Sequence, residues 1–266
     1  MTRVLSGAVL LLLAIGLVWF APARVFFVAA EVLLIAAFVE YAALARASDL
    51  PVPRLPAGAA AALTGAAFAR VTRGDVSWAP LDVVLLSAFV VLGALTIAQW
   101  REGRNALGLA SASMFPSLYL GLPIGAMIAI REAHGREALF LLMLTVFVSD
   151  TAQYYSGRAF GRRALAARIS PKKTIEGAAG GFLFGGVFMM IVGAWWLPVV
   201  PPAMRAVLGV LVVALGITGD LFESMLKRSA GVKDSSALIP GHGGVLDRID
   251  ALLFAAPVYY IVLHYV

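Results

Sequence analysis

Long stretches of this chain carry no charged residue at all, among them 4–20, 105–130 and 177–204. Water gives no reason to keep runs of that length uncharged, whereas a bilayer demands about 20 mostly apolar residues for every helix that crosses it. The rest of the composition agrees. Of 266 residues, 61% are apolar and 14% charged, with a mean hydropathy of +0.92, against about 45–50% and 25% in a soluble domain. An ordinary water-soluble enzyme and a disordered tail protein are both excluded. Cysteine is absent, which removes disulfide scaffolds, Cys-ligated zinc, iron–sulfur clusters and thiol nucleophiles. The net charge of +6 on a membrane chain points to anionic lipid or phosphate and not to nucleic acid.

Charged and Pro/Gly-rich breaks divide the chain into about nine candidate spans, at 4–20, 25–45, 57–70, 79–99, 106–130, 138–156, 176–198, 205–226 and 249–266. The expected fold is an all-α, polytopic transmembrane helix bundle. Its N-terminal transmembrane region covers 1–135 and its C-terminal catalytic region 136–266, with polar loops at 157–175 and 227–248, in one continuous bundle. The run 4–20, followed by Ala21-Pro22-Ala23, has the outline of a secretory signal, but a lone Arg3 and the spans that follow favour a retained helix. Ala-rich 57–62 and Gly-rich 177–186 read as close helix packing, and such faces permit a homodimer.

With nine spans, fifteen of the 21 Lys and Arg fall on the side of the N-terminus and the two long loops. The other side holds Arg24, Arg70, Arg73, Arg131, Arg136 and Arg205. The positive-inside rule makes the richer side cytoplasmic and leaves the C-terminus opposite. The assignment rests on the loops, because without their ten basic residues the balance is five against six.

Acidic residues within spans are costly and are functional candidates by default. Asp150 follows the uncharged run 138–149, and Asp220 follows 206–219. On a helix, Asp220, Glu223, Ser224 and Lys227 share one face, with Glu223 and Lys227 spaced to close the helix end as a pair. Glu31, Glu40 and Asp82 read as structural, pairing with arginines or facing the bundle interior. In the loop 227–248, Pro240-Gly241-His242-Gly243-Gly244 strips away side chains where backbone amides can turn toward an anion. The helix that follows carries Asp247 and Asp250 on one face, and two acids so placed call for something positive between them, economically a divalent cation with oxygen ligands. The other loop holds Ser170-Pro171-Lys172-Lys173-Thr174, two point charges and two hydroxyls suited to phosphate oxygens. His242 has no second histidine in its loop, and His134 and His264 sit toward the opposite face, so a histidine-ligated metal is not expected.

Together these residues resemble the integral-membrane phosphatidate cytidylyltransferases, the CDP-diacylglycerol synthases. The family signature stands here as Ser224, Lys227, Arg228, Lys233, Asp234, Pro240 to Gly244, Asp247, Arg248 and Asp250. Ser149-Asp150-Thr151-Ala152, Gly157-Arg158, Gly161, the segment from Ser170 to Gly177, and Gly219-Asp220 also match. The resemblance covers the C-terminal half; before residue 140 only a multispan pattern is shared, and Ile175 stands where the family often has an aromatic residue.

The resemblance implies transfer of a cytidylyl group from CTP to phosphatidic acid, giving CDP-diacylglycerol and pyrophosphate with one or two Mg²⁺ ions. It implies the inner membrane of a bacterium and an active site on the cytoplasmic face. Asp220, Asp247, Asp250, Lys227 and Arg228 are then catalytic candidates. Ser170, Lys172, Lys173, Thr174, Ser224, Lys233, His242, Gly243, Gly244 and Arg248 are candidates for the substrates, and Asp220, Asp247 and Asp250 for the metal, ahead of Asp150 and Glu223. In-line attack of a phosphate oxygen on the α-phosphorus needs positioning and charge neutralisation, with little covalent help. The alternatives are a related lipid nucleotidyltransferase or lipid kinase with another lipid acceptor and, outside enzymes, a transporter or channel. The last would spread polar residues through the membrane depth, whereas here they crowd one face.

Overall fold

A computed structural model describes residues 2–71, 79–239, 241 and 243–266. The candidate His242 therefore lies outside the described residues, as does Pro240. Helix α1 (Thr2–Ile15) runs into a π-helical turn, Gly16–Phe20. Then come α2 (Ala23–Ala47), α3 (Arg54–Val71) and α4 (Leu81–Gln99). Next are α5 (Ala106–Pro116), a second π-turn at Ser117–Gly121, and α6 (Leu122–Ala133). The C-terminal half is built from α7 (Arg136–Phe160), α8 (Ile175–Trp196), α9 (Pro202–Ser229) and α10 (Leu246–Tyr265).

Each of the nine expected segments falls on helix. Among the described residues six helices are long and apolar enough to cross a membrane: α2, α4, the continuous Ala106–Ala133, α7, α8 and α9. The bundle is not wholly α. The loop expected at 157–175 contains a short antiparallel ribbon, β1 (Ala164–Ala166) and β2 (Ser170–Thr174), pairing Ala164 with Thr174 and Ala166 with Ser170. Alternation of apolar and polar residues is too brief there to announce a strand, and Pro171 is tolerated because a two-stranded ribbon is all edge.

The middle of the bundle is α6, where every residue from Pro123 to Ile130 is buried. Glycines let its neighbours come close. A methyl group at Gly121 would meet the Ala61 carbonyl at 2.6 Å, and one at Gly125 the Gly65 carbonyl at 2.8 Å. The Gly-rich start of α8 works the same way: Gly177, Gly180, Gly181 and Gly185 form a buried stripe against α7, the packing expected of small residues in a bilayer. Leu86, Phe89 and Val90 of α4 and Leu183, Phe184 and Ile191 of α8 are exposed, the outward-facing surface that lipid would cover.

The two ends of the bundle differ. At one, Arg131 donates from Nε to the Val18 carbonyl at 2.9 Å and from its other arm to Ala21, satisfying carbonyls left open where the first π-turn stops. At the other lie the C-terminal ends of α2, α7 and α9, the N-terminal ends of α8 and α10, and the ribbon. There the charged residues collect.

Candidate active site

The ribbon is fixed before it offers anything to a ligand. Thr174 caps α8, its Oγ1 accepting from the Gly177 amide at 3.1 Å. Glu176, in the first turn, accepts from the amides of Arg162 at 3.0 Å and Arg163 at 3.2 Å, so the strand entering the ribbon is tied to the helix leaving it. On β2, Lys173 reaches α9 and pairs with Asp220, Nζ to Oδ2 at 2.6 Å. The neighbouring Ser224 donates to Asp220 Oδ1 at 3.3 Å.

One turn further along α9, Lys227 is nearly enclosed. It pairs with Glu223, which is completely buried, and with Asp247 Oδ1 at 2.5 Å. The other oxygen of Asp247 accepts from the Ser235 amide at 3.0 Å and the Gly244 amide at 2.8 Å, and lies 2.8 Å from the Ser235 hydroxyl, whose one proton it shares with Glu40. The Gly244 bond ties this first-turn acid back to the backbone just ahead of α10. Burial alone would raise the Asp247 carboxyl, which lies ahead of the 249–266 segment; the Lys227 ammonium, the two amides and the hydroxyl outweigh it and hold the group down at about 2.

The glycine loop thus turns an amide toward an anion, and the anion is the chain's own Asp247. Gly243 has φ +78°, a left-handed conformation that favours glycine, and a methyl group there would meet Asp247 Oδ2 at 2.6 Å. The loop is also anchored from the N-terminal half. Glu40 of α2 accepts from the hydroxyls of Ser235 and Ser236 and from the amides of Val245 and Leu246.

A cavity of about 880 Å³ opens among these elements. Its charged end is lined by Asp150, Lys172, Lys173, Thr174, Asp220, Asp247, Arg248 and Asp250. Its other end is apolar, formed by Leu11 and Ala14 of α1 with Phe140, Met143, Leu144 and Phe147 of α7. Asp150, Asp220 and Asp250 lie close enough to repel one another.

Most of the expected site residues come together here. Ser224 and Lys227 reach the cavity only through Asp220 and Asp247. Ser170, Lys233, Gly243 and Gly244 do not line it, and neither does Arg228, which donates to the Val232 carbonyl at 3.0 Å and closes the end of α9. The polar lining residues that were not among the candidates include Gln153, which donates to Asp150 Oδ1 at 3.0 Å, Tyr154 and Arg158. Their signal was present, since Asp150, Gln153, Tyr154, Gly157 and Arg158 follow helical spacing on one face of α7. Glu40, expected to pair with arginines or face the bundle interior, is buried and accepts its hydrogen bonds from the loop and the start of α10, and Ser235, which no local pattern marks, lies between it and Asp247.

As donors for a cation, the carboxylates are hard oxygens of the kind Mg²⁺ takes. Among the described residues no three acids are placed to hold a metal ion by themselves. A Mg²⁺ ion there would take one or two carboxylates and complete its shell with waters and substrate phosphates.

Long apolar helices around a cavity that is charged at one end and apolar at the other are those of an integral membrane protein with an amphiphilic cavity. The comparison with known sequences narrows this class. The sequence model of the cytidylyltransferase family matches residues 1–266, and the chain belongs to that family.

Among curated proteins it is similar to the phosphatidate cytidylyltransferase of Brucella suis, 39% identical over 189 residues, 67% of this chain and 65% of that one. It is similar also to the enzyme of the same name from Helicobacter pylori, 33% identical over 186 residues, 70% and 66% of the two chains. With that of Haemophilus influenzae it shares 45% identity over 130 residues, 47% and 45% of the two. The matched stretch thus spans between about half and two thirds of these relatives' length.

Proposed function

We propose that this protein transfers the cytidylyl group of CTP to phosphatidic acid, releasing pyrophosphate and leaving CDP-diacylglycerol in the membrane. The observation that carries the reading is the single cavity with two chemistries. The apolar end between α1 and α7 would take acyl chains, leaving the lipid phosphate to Lys172, Lys173, Arg158 and Arg248, all of which line the cavity. The names of the relatives give the same reaction. The full reading has nine spans in a bacterial inner membrane, with the N-terminus, the ribbon and the glycine loop on the cytoplasmic face, where CTP is found.

The lipid phosphate is already an anion, so attack on the α-phosphorus needs no strong general base. The chain's task is to hold two polyanions together in line. Lys172, Lys173, Arg158 and Arg248 offset their charge, and the apolar end fixes the lipid's depth. One or two of Asp220, Asp250 and Asp247, with Asp150 beside them, would hold Mg²⁺ together with the substrate phosphates. When bound, that ion neutralises the triphosphate and the departing pyrophosphate. Lys227 keeps Asp247 oriented, and Lys173 keeps Asp220 from the repulsion of its neighbours.

The test uses purified protein in detergent with Mg²⁺, phosphatidic acid and CTP labelled at either the α- or the γ-phosphorus. Cytidylyl transfer puts the α-label into lipid and releases the γ-label as pyrophosphate. A γ-label in lipid would make the protein a lipid kinase. No lipid label at all, from diacyl phosphatidic acid with the fold intact, would overturn the acceptor assignment.

A further inference from the structure

Glu40 accepts four hydrogen bonds, two on each carboxylate oxygen. It is 4% exposed and does not line the cavity. Oε1 accepts from Ser236 Oγ at 2.7 Å and the Val245 amide at 2.9 Å. Oε2 accepts from Ser235 Oγ and the Leu246 amide, both at 2.8 Å. The two amides belong to the start of α10, where a helix leaves N–H groups without internal partners and its dipole favours a negative charge. The two hydroxyls belong to the loop between α9 and α10. One side chain from α2 therefore determines where that loop lies and where α10 begins.

What it holds matters to the cavity. Ser235 Oγ also lies 2.8 Å from Asp247 Oδ2, so a single hydroxyl separates Glu40 from a cavity residue. Asp247, Arg248 and Asp250 occupy the first turn and a half of α10 and project their side chains into the cavity. Gly244 records how close the fit is: a methyl group there would run into Ser235 Oγ and both carboxylate oxygens of Glu40. We infer that Glu40 is a positioning residue for the reaction proposed above, on which this inference rests, holding the first turn of α10 so that Asp247, Arg248 and Asp250 face the substrates.

The hydrogen-bond pattern gives the inference a sharp probe. Each Glu40 oxygen receives one hydroxyl and one backbone amide. In Glu40→Gln a hydroxyl can rotate to accept from the new –NH₂, but a backbone N–H cannot. Whichever way the amide is turned, one donor faces another at the start of α10.

The experiment pairs hydrogen–deuterium exchange with steady-state kinetics on detergent-purified full-length protein. For Glu40→Gln, exchange in peptides covering 235–246 rises at least tenfold while that of α7 and α8 stays at the parent level. Turnover falls at least tenfold, and KM for CTP changes less than threefold. If the variant does not fold, the Ser235→Ala, Ser236→Ala pair removes the two hydroxyl tethers and carries the same expectations. Unchanged exchange at 235–246, or turnover within twofold of the parent, overturns the inference. So does a general loss of stability with full turnover per folded molecule, which would make Glu40 a fold residue only. Exchange is read without substrate, so this result stands apart from the labelled-CTP assay: a parent protein that makes no lipid cytidylate refutes the reaction, not the tether.

Discussion

Removing the Lys227 ammonium tests the charge arrangement most directly. Lys227 is 8% exposed and Glu223 0%, and the cation joins Glu223 to Asp247. Lys227→Met keeps most of the aliphatic length and deletes only the charge. The Glu223 carboxylate is then left in the bundle without a cation. Breaking a buried pair from one side costs about 3–5 kcal/mol, whereas replacing both partners by apolar groups of similar size is often neutral. At about 1.4 kcal/mol per tenfold, the single variant loses a factor of at least about a hundred in its folded-to-unfolded ratio. Adding Glu223→Leu should recover most of that loss, giving a coupling in the double-mutant cycle of about 2 kcal/mol, within the range for residues in direct contact. Reversible unfolding in mixed micelles, followed by tryptophan fluorescence, measures all four corners. Turnover stays low in both Lys227 variants, because Asp247 has lost the cation that orients Oδ1. A Lys227→Met protein within about 0.5 kcal/mol of the parent, the scatter of ordinary surface substitutions, refutes the reasoning. So does a double variant less stable than the single one.

Lys173→Ala frees Asp220 and removes one charge from the cavity; KM for one of the two phosphate substrates should rise at least tenfold, as read from initial rates with each varied in turn. Gly244→Ala should abolish turnover by driving Ser235 away from Glu40, whereas Gly186→Ala, where a methyl group meets nothing within 4 Å, should keep full activity and a melting temperature at or above the parent's. Thr174→Ala removes the cap of α8 at a cost of about 1 kcal/mol; the loss should appear as faster exchange in the ribbon and the first turn of α8, with α9 unaffected. Chelation of divalent cations with EDTA should stop turnover and added Mg²⁺ restore it, measured by release of pyrophosphate.

The helices were legible because the bilayer leaves a sequence few choices. An uncharged run such as 105–130 has to satisfy its backbone internally, and helix is the solution open to a single segment. The acids were legible for the same reason, since Asp150 and Asp220 interrupt runs that a membrane would otherwise keep uncharged. What spacing along the chain does not reveal is which side of a helix end faces the cavity. Lys227 and Arg228 are neighbours in the sequence, yet a step of one residue turns about 100° around the axis. One is enclosed between two carboxylates while the other closes the helix terminus.

The partners least visible in the sequence are those whose bonds are long-range and to backbone. Glu40 lies 205 residues from the Val245 amide it accepts from, and no pattern of residue types records a carboxylate aimed at a helix N-terminus elsewhere in the bundle. The apolar end of the cavity is hidden for the same reason, being formed where α1 meets α7. These two features complete the argument about the site. The residues proposed to meet phosphate are clustered in the C-terminal half, but the tether inferred for α10 comes from α2 and the wall proposed for acyl chains comes partly from α1. On this proposal the N-terminal half is part of the working site, and neither of its contributions needs a residue type that stands out in the sequence.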